Sequence, residues 1–323
     1  MHNYGGSVSP LHCRFLMSTP MTIETSASGS VMICGEHAVV YGQPAIVAAI
    51  AQRIRVRLTP RNDDKITIHS ALGDYESTAG FLKPYRPLAF VIACLERYPH
   101  SGGLTLEIDS AIDPTLGLGS SAAVTVATLA ALARHTGEDE RRETLHTQAL
   151  TIVRSLQSRG SGADLAASLW GGMIAYRNLP EVSVSALPLP PVDVGLRYSG
   201  YKTPTDVVLY QIAEKMRGSP DFYAQLYQTM GETAAHAIAA AEHHHWQDFY
   251  AALAHYQQHM EELGVCDDTL AAMIAAARAH PDTLASKISG SGLGDCIISF
   301  AKTLPADHQK ITIDMQGVQF IAG

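Results

Sequence analysis

The residues of this chain that could do chemistry gather in three glycine-rich segments. The first reads Asp113-Pro114-Thr115-Leu116-Gly117-Leu118-Gly119-Ser120-Ser121-Ala122-Ala123. Two glycines let the backbone turn tightly and approach a ligand, and a helix starting at Ser120 would offer unpaired N–H donors and the positive end of its dipole. That combination is an anion site. The Ser120 and Ser121 hydroxyls add donors, or oxygen ligands for Mg2+. In the second segment, Arg159-Gly160-Ser161-Gly162-Ala163-Asp164, an aspartate stands just inside a short helix, where it most often complements the dipole. Facing the first segment, Asp164 would instead be a candidate base for a substrate hydroxyl. The third segment, Ser289-Gly290-Ser291-Gly292-Leu293-Gly294-Asp295, lies between two strand-like runs. It reads either as an ordinary hairpin turn or as a turn that approaches phosphate closely.

Other chemistries lack their spacing. Gly117 to Ala122 also satisfies the relaxed dinucleotide fingerprint, with Glu138 and Asp139 about 20 residues on. A dinucleotide unit needs a second strand between helix and acid, however, and Val124–Gly137 contains none. No lysine follows the glycines as a P-loop requires, and neither G-x-S-x-G nor H-E-x-x-H occurs. His243, His244 and His245 are consecutive, so on a helix they point about 100° apart and cannot converge on one metal.

These segments must be held by strands and helices. Thr22–Thr25, Val31–Cys34, Arg53–Leu58, Lys65–His69 and Leu104–Ile108 have strand character and lie close together, which predicts antiparallel pairing. The Ala-rich run Ser120–His135, capped by its initial serines, and Glu140–Gln157 read as helices. Asp164–Trp170 is a short helix before the strand Met173–Arg177. Leu187-Pro188-Leu189-Pro190-Pro191 is the clearest linker. Beyond it come a strand at Val192–Tyr198, helices at Thr205–Arg217, Asp221–Glu242, Trp246–Leu263 and Asp268–Ala279, and strands at Ala285–Ile288 and Cys296–Phe300. Strands and helices occur in blocks, which predicts an α+β fold.

With 46% hydrophobic residues and a net charge of −8, the 323-residue chain is globular, long enough for two domains. Its 23 basic side chains against 31 acidic ones argue against nucleic-acid or anionic-membrane partners. The apolar stretch Ala122–Ala133 is well short of the roughly 20 residues of a membrane span. Residues 1–21 read as a flexible leader without the pattern of a secretory signal. Cys13, Cys34, Cys94, Cys266 and Cys296 are widely spaced, which fits reduced thiols in a cytoplasmic protein.

Three segments in order resemble the three motifs of the GHMP kinases: Ser28–Gly42, containing Gly35-Glu36-His37-Ala38-Val39-Val40-Tyr41-Gly42, then Gly117–Ala123, then Lys287–Cys296. The likeness spans nearly the whole chain. Within the family the first motif and Leu263-Gly264-Val265 are most similar to the mevalonate kinase branch; the second fits phosphomevalonate kinase equally well. The resemblance implies an α+β kinase of two domains, residues 22–188 and 189–323, with ATP and Mg2+ in the cleft between them and a small-molecule alcohol as acceptor. A homodimer is the family expectation. Gly117, Leu118, Gly119, Ser120, Ser121 and Ala122 would bind ATP, with Gly290, Ser291 and Gly292 closing from the other domain, and Ser120 and Ser121 would reach the metal. Glu36 and His37 would line the acceptor side, Asp164 matches the catalytic aspartate, and Lys202-Thr203-Pro204-Thr205 resembles a loop that borders the substrate.

Three positions depart from the family pattern. Ser30 stands where a lysine is expected, Val153 where a magnesium-binding glutamate is expected, and Val124 where a tyrosine is expected. Losing one electrostatic partner in a phosphoryl-transfer site costs about 2.7–4 kcal/mol, so Lys202 is the candidate replacement cation. The expected activity is phosphoryl transfer from ATP to mevalonate. Phosphomevalonate or another alcohol as acceptor, and a catalytically weak nucleotide- or metabolite-binding protein, are the alternatives.

Overall fold

The computed structural model describes residues 21–98, 102–113, 116–157 and 160–321. Residues 1–20 of the leader, Cys13 among them, and Pro114, Thr115 and Arg159 of the glycine-rich segments lie outside them. The architecture is α+β, as the blocks of strands and helices predict. The strands are β1 (Ile23–Cys34), β2 (Ala45–Pro60), β3 (Lys65–Ser70), β4 (Tyr75–Thr78), β5 (Leu104–Ser110), β6 (Met173–Arg177), β7 (Ser183–Leu187), β8 (Asp193–Lys202), β9 (Thr283–Ser289), β10 (Gly294–Ala301), β11 (Gln309–Ile311) and β12 (Gln319–Ile321). The helices are α1 (Ala89–Arg97), α2 (Ser120–Thr136), α3 (Arg142–Gln157), α4 (Ala163–Trp170), α5 (Thr205–Gly218), α6 (Pro220–Glu242), α7 (Trp246–Leu263) and α8 (Asp268–Ala279).

One sheet has the order β12-β1-β2-β5-β3-β4, with β6 pairing to β2 and β7 to β6; the other has the order β11-β8-β10-β9. The expectation of antiparallel pairing throughout the first third fails at β3 and β5, which are parallel. The reason is α1, a helix between β4 and β5 that the strand spacing concealed; it supplies the crossover that a parallel pair requires.

The first sheet is covered by α2 and α4 because β1 is built from small residues. Thr25 Oγ1 donates to the Ala127 carbonyl at 2.8 Å, and Ser168 Oγ donates to the Ser28 carbonyl at 2.7 Å. Hydroxyls thus satisfy backbone carbonyls at the helix–strand seam, and short side chains allow close packing. The apolar run of α2 is a core element: every residue from Ala122 to Ala133 except Val124 is buried. No helix among the described residues is long and apolar enough to cross a membrane. In the other sheet α7 and α8 pack on β9.

After β11 the chain returns to the first sheet, where β12 pairs antiparallel with β1, Thr25 opposite Phe320. Arg53 on β2 holds this return: its guanidinium donates to the Ser26 carbonyl at 3.0 Å and the Gly317 carbonyl at 2.6 Å, and pairs with Asp314.

Candidate active site

The anion cradle forms where α2 meets the loop before it. Gly117 and Gly119 both have φ of 68°, the left-handed region that glycine enters without penalty. Gly119 occupies the N-cap position, so Ser120 and Ser121 are the first two helical residues and not the caps expected from the sequence. The glycine turn closes the loop one residue earlier than a capping serine would. No side chain caps this end, so the helix dipole and both hydroxyls are available to a ligand. The loop is pinned to β1: Ser30 N–H donates to the Leu118 carbonyl at 3.1 Å, and a Cβ on Gly29 would lie 2.7 Å from that oxygen. Leu118 and Ala122 are buried beneath the cradle.

A register shift between Ser28 and Gly29 marks a bulge in the β1–β2 ladder, a device that re-aims the next side chain. Ser30 Oγ donates to Asp164 Oδ1 at 2.7 Å. Asp164 is the second residue of α4, entered through Gly162 at φ 87°. Burial pushes the Asp164 carboxyl above the usual carboxylate range, while the Ser30 hydrogen bond and the Lys202 ammonium oppose that shift. Position 30 therefore serves the aspartate through a neutral donor. Val153 on α3 packs apolar against Gly160, and Val124 is partly buried on α2.

The third glycine segment comes from the other sheet. Gly290 and Gly292 have φ of 109° and 78°, and the non-glycine residues Leu293 and Asp295 also lie in the left-handed region, at 53° and 72°. The turn is fixed by neighbours: Leu293 N–H donates to the Val265 carbonyl at 2.8 Å, and Thr203 Oγ1 donates to the Leu293 carbonyl at 2.6 Å. Thr205, by contrast, is exposed at the first residue of α5. Lys202 Nζ lies 3.6 Å from Asp295 Oδ2. A Cβ on Gly117 would collide with the Asp295 carboxylate, so the two glycine segments meet at this aspartate. Sequence reasoning assigned Asp295 no role, because aspartate after glycine is common in any turn.

Glu36 and His37 close the remaining side. Glu36 is buried and its Oε1 pairs with Lys287 Nζ at 2.5 Å, while Tyr256 O–H donates to the Glu36 carbonyl at 2.7 Å. Lys287, fully buried on β9, was also missed; its signal is a lysine within an otherwise uncharged strand. Glu36 Oε2 has no hydrogen-bond partner. Burial lowers the His37 pKa to about 4, leaving its ring neutral near pH 7. His37 Nε2 is 2.9 Å from the Ser291 carbonyl, and a carbonyl only accepts, so Nε2 carries the proton. Nδ1 is then a bare acceptor, buried and unpartnered, and Ser291 Oγ is unpartnered as well.

Known proteins resemble this chain over most of its length. The family model for the GHMP kinases N terminal domain matches residues 86–172, and that for the GHMP kinases C terminal region matches residues 237–310. A mevalonate kinase of Methanothermobacter thermautotrophicus is 29% identical over 283 residues, 86% of this chain and 90% of that protein. Among solved structures, a protein from Listeria innocua superposes with a TM-score of 0.82 at 21% identity, covering 94% of this chain and 100% of that one. L. major mevalonate kinase in complex with R-mevalonate gives a TM-score of 0.73 at 20% identity, covering 93% and 98%.

Proposed function

This chain belongs to the GHMP kinases and is an ATP-dependent phosphotransferase acting on an alcohol, and we propose that its acceptor is mevalonate, with Asp164 as the base and Lys202 as the cation. The acceptor hydroxyl gives its proton to an Asp164 oxygen as its own oxygen forms a bond to the terminal phosphorus. The bond from that phosphorus to the bridging oxygen breaks, and ADP leaves. A carboxyl with a raised pKa is the stronger base. The helix end at Ser120 and Ser121 would hold the polyphosphate, and Lys202 would offset charge on the transferring group. Catalysis of this kind is mostly positioning and charge stabilisation.

What carries the reading is the meeting of Asp164, the uncapped helix end and Lys202 at one edge of the cradle, in a chain whose curated relative of near-equal span bears the mevalonate kinase name. His37 Nδ1 and Ser291 Oγ, buried without partners, would serve as acceptor and donor for the polar groups of the alcohol. No group of three or more His, Cys, Asp or Glu among the described residues could hold a metal ion. Mg2+ needs no such group, because it takes few protein oxygens and completes its shell with phosphates and water. The Ser120 and Ser121 hydroxyls would hold it, where it would neutralise phosphate charge.

The test is ADP release, coupled to an indicator reaction, across a panel of mevalonate, its phosphates and sugars. Turnover with mevalonate that Asp164→Asn abolishes, at nearly unchanged ATP affinity, is the expected result. ATP binding without turnover on any acceptor would favour the catalytically weak binding protein that Ser30 suggests. Faster turnover on phosphomevalonate would move the assignment to that acceptor.

A further inference from the structure

We propose that Asp295 is a positioning residue whose carboxylate holds the Lys202 ammonium against the phosphate cradle, so that the cation absent from position 30 is supplied from the second sheet. This rests on the role given to Lys202 above. Lys202 ends β8 on a flexible four-carbon stem. Unpaired, its ammonium would spread over many positions in solvent and act weakly on a phosphoryl group. Asp295 removes that freedom.

Several features of Asp295 are unfavourable unless it has this task. In the β8–β10 ladder Gly294 stands opposite Lys202, and the register shifts between Gly294 and Cys296, so Asp295 is the residue at the irregularity. A bulge there turns its side chain out of the ordinary alternation. Its φ of 72° is one that aspartate tolerates and glycine prefers. The residue is only 5% exposed, and Oδ1 has no hydrogen-bond partner. The carboxylate lies between Gly117 and Gly290, where a Cβ on either glycine would press on it. Left-handed backbone, buried charge and an unpaired oxygen at one residue are the kind of strain that persists at functional sites.

The pairing also fixes a local charge balance. Burial pushes the carboxyls of both Asp295 and Asp164 above the usual range; the Lys202 ammonium opposes that shift in each, and Asp164 adds to it at Asp295. One positive charge therefore serves two carboxylates at the edge of the cradle. Withdrawing Lys202 would leave Asp295 as a bare anion beside incoming phosphates. Withdrawing Asp295 would leave Lys202 present and misplaced.

Steady-state kinetics on Lys202→Ala, Asp295→Gly and the double variant test the proposal, with Asp295→Asn as a variant that preserves shape. Glycine suits the left-handed backbone, so Asp295→Gly should fold and melt no lower than wild type. Its kcat should fall roughly a hundredfold, the lower end of the range for a lost electrostatic partner, with acceptor KM within a few-fold. Asp295→Asn should follow the same direction. In the Lys202→Ala background the sign should reverse: removing the orphaned carboxylate should lower KM for ATP several-fold. An equal loss in both backgrounds would mark Asp295 as purely architectural and overturn the proposal, and so would wild-type kcat in Asp295→Gly while Lys202→Ala is slow. Lys202→Ala at wild-type turnover would instead overturn the role of Lys202, and this inference with it.

Discussion

Replacing Lys287 with methionine keeps most of the side chain's length and removes its charge from a fully buried site. The ammonium lies 2.5 Å from Glu36 Oε1 and also donates to the Ile288 carbonyl. At an effective dielectric near 20, the attraction at that separation is about 7 kcal/mol. Desolvation of the two ions, several kcal/mol each, offsets most of it, so the intact pair is close to neutral for stability. Removing one partner is not neutral. Glu36 Oε2 already lacks a partner, and Lys287→Met would leave the whole carboxylate buried and unpaired, at a cost of about 3–5 kcal/mol. The double variant Lys287→Met with Glu36→Gln removes that orphan and should recover most of the loss. Urea unfolding of the four proteins measures the cycle. Because Tyr256 and Lys287 together hold the turn that carries His37, the acceptor KM should rise more than the KM for ATP. A single variant that loses under about 1 kcal/mol, or a double variant as unstable as the single, would refute the account of this pair.

The remaining predictions concern the cradle and its base. Ser30→Ala removes the hydrogen bond that holds the Asp164 pKa down against burial, so the acidic limb of the kcat–pH profile should move to higher pH; an unmoved limb would exclude Asp164 as the titrating base. Asp164 has a folded pKa above its unfolded value, so its ionisation weakens the fold as pH rises through that interval, and the penalty is fully present above it. Asp164→Asn should therefore melt above wild type at pH 7, with the gap closing below the ordinary carboxylate range; differential scanning calorimetry across pH reads this directly. Gly117→Ala should weaken ATP binding roughly tenfold or more, about the 1.4 kcal/mol of a tenfold change, because its Cβ would meet Asp295 in a backbone conformation alanine disfavours. Calorimetric titration with a non-hydrolysable nucleotide gives the answer, and wild-type affinity would contradict the crowding argument.

Much of this arrangement was legible in local pattern. The glycines at 117 and 119, the serines after them and Asp164 inside a short helix all follow from rules that act over a few residues, and the four helices of the second half lie close to their expected ranges. What escaped needed a distant neighbour. Lys287 stands out as a lone charge in β9, but its use and that of Asp295 in its turn emerge only when Glu36 and Lys202 are brought against them. Ser30 read as a loss, and only the bulge that points it at Asp164 gives it a use. The parallel pairing of β3 and β5 was hidden for the same reason: α1 is too short for its periodicity to stand out against the strands around it.

The pairing of β12 with β1 bears on how the protein is made. During synthesis β2 follows β1 directly, but the other edge of β1 must wait for β12, which comes after all the other strands. Until then the strand carrying Ser30 presents open N–H and C=O groups, a template on which nascent chains can pair with one another. Long-range closure of this kind is slow. Expression at reduced temperature, or with a chaperone that shields strand edges, should raise the yield of correctly closed molecules, and weakening the Arg53 clamp on the returning segment should lower it.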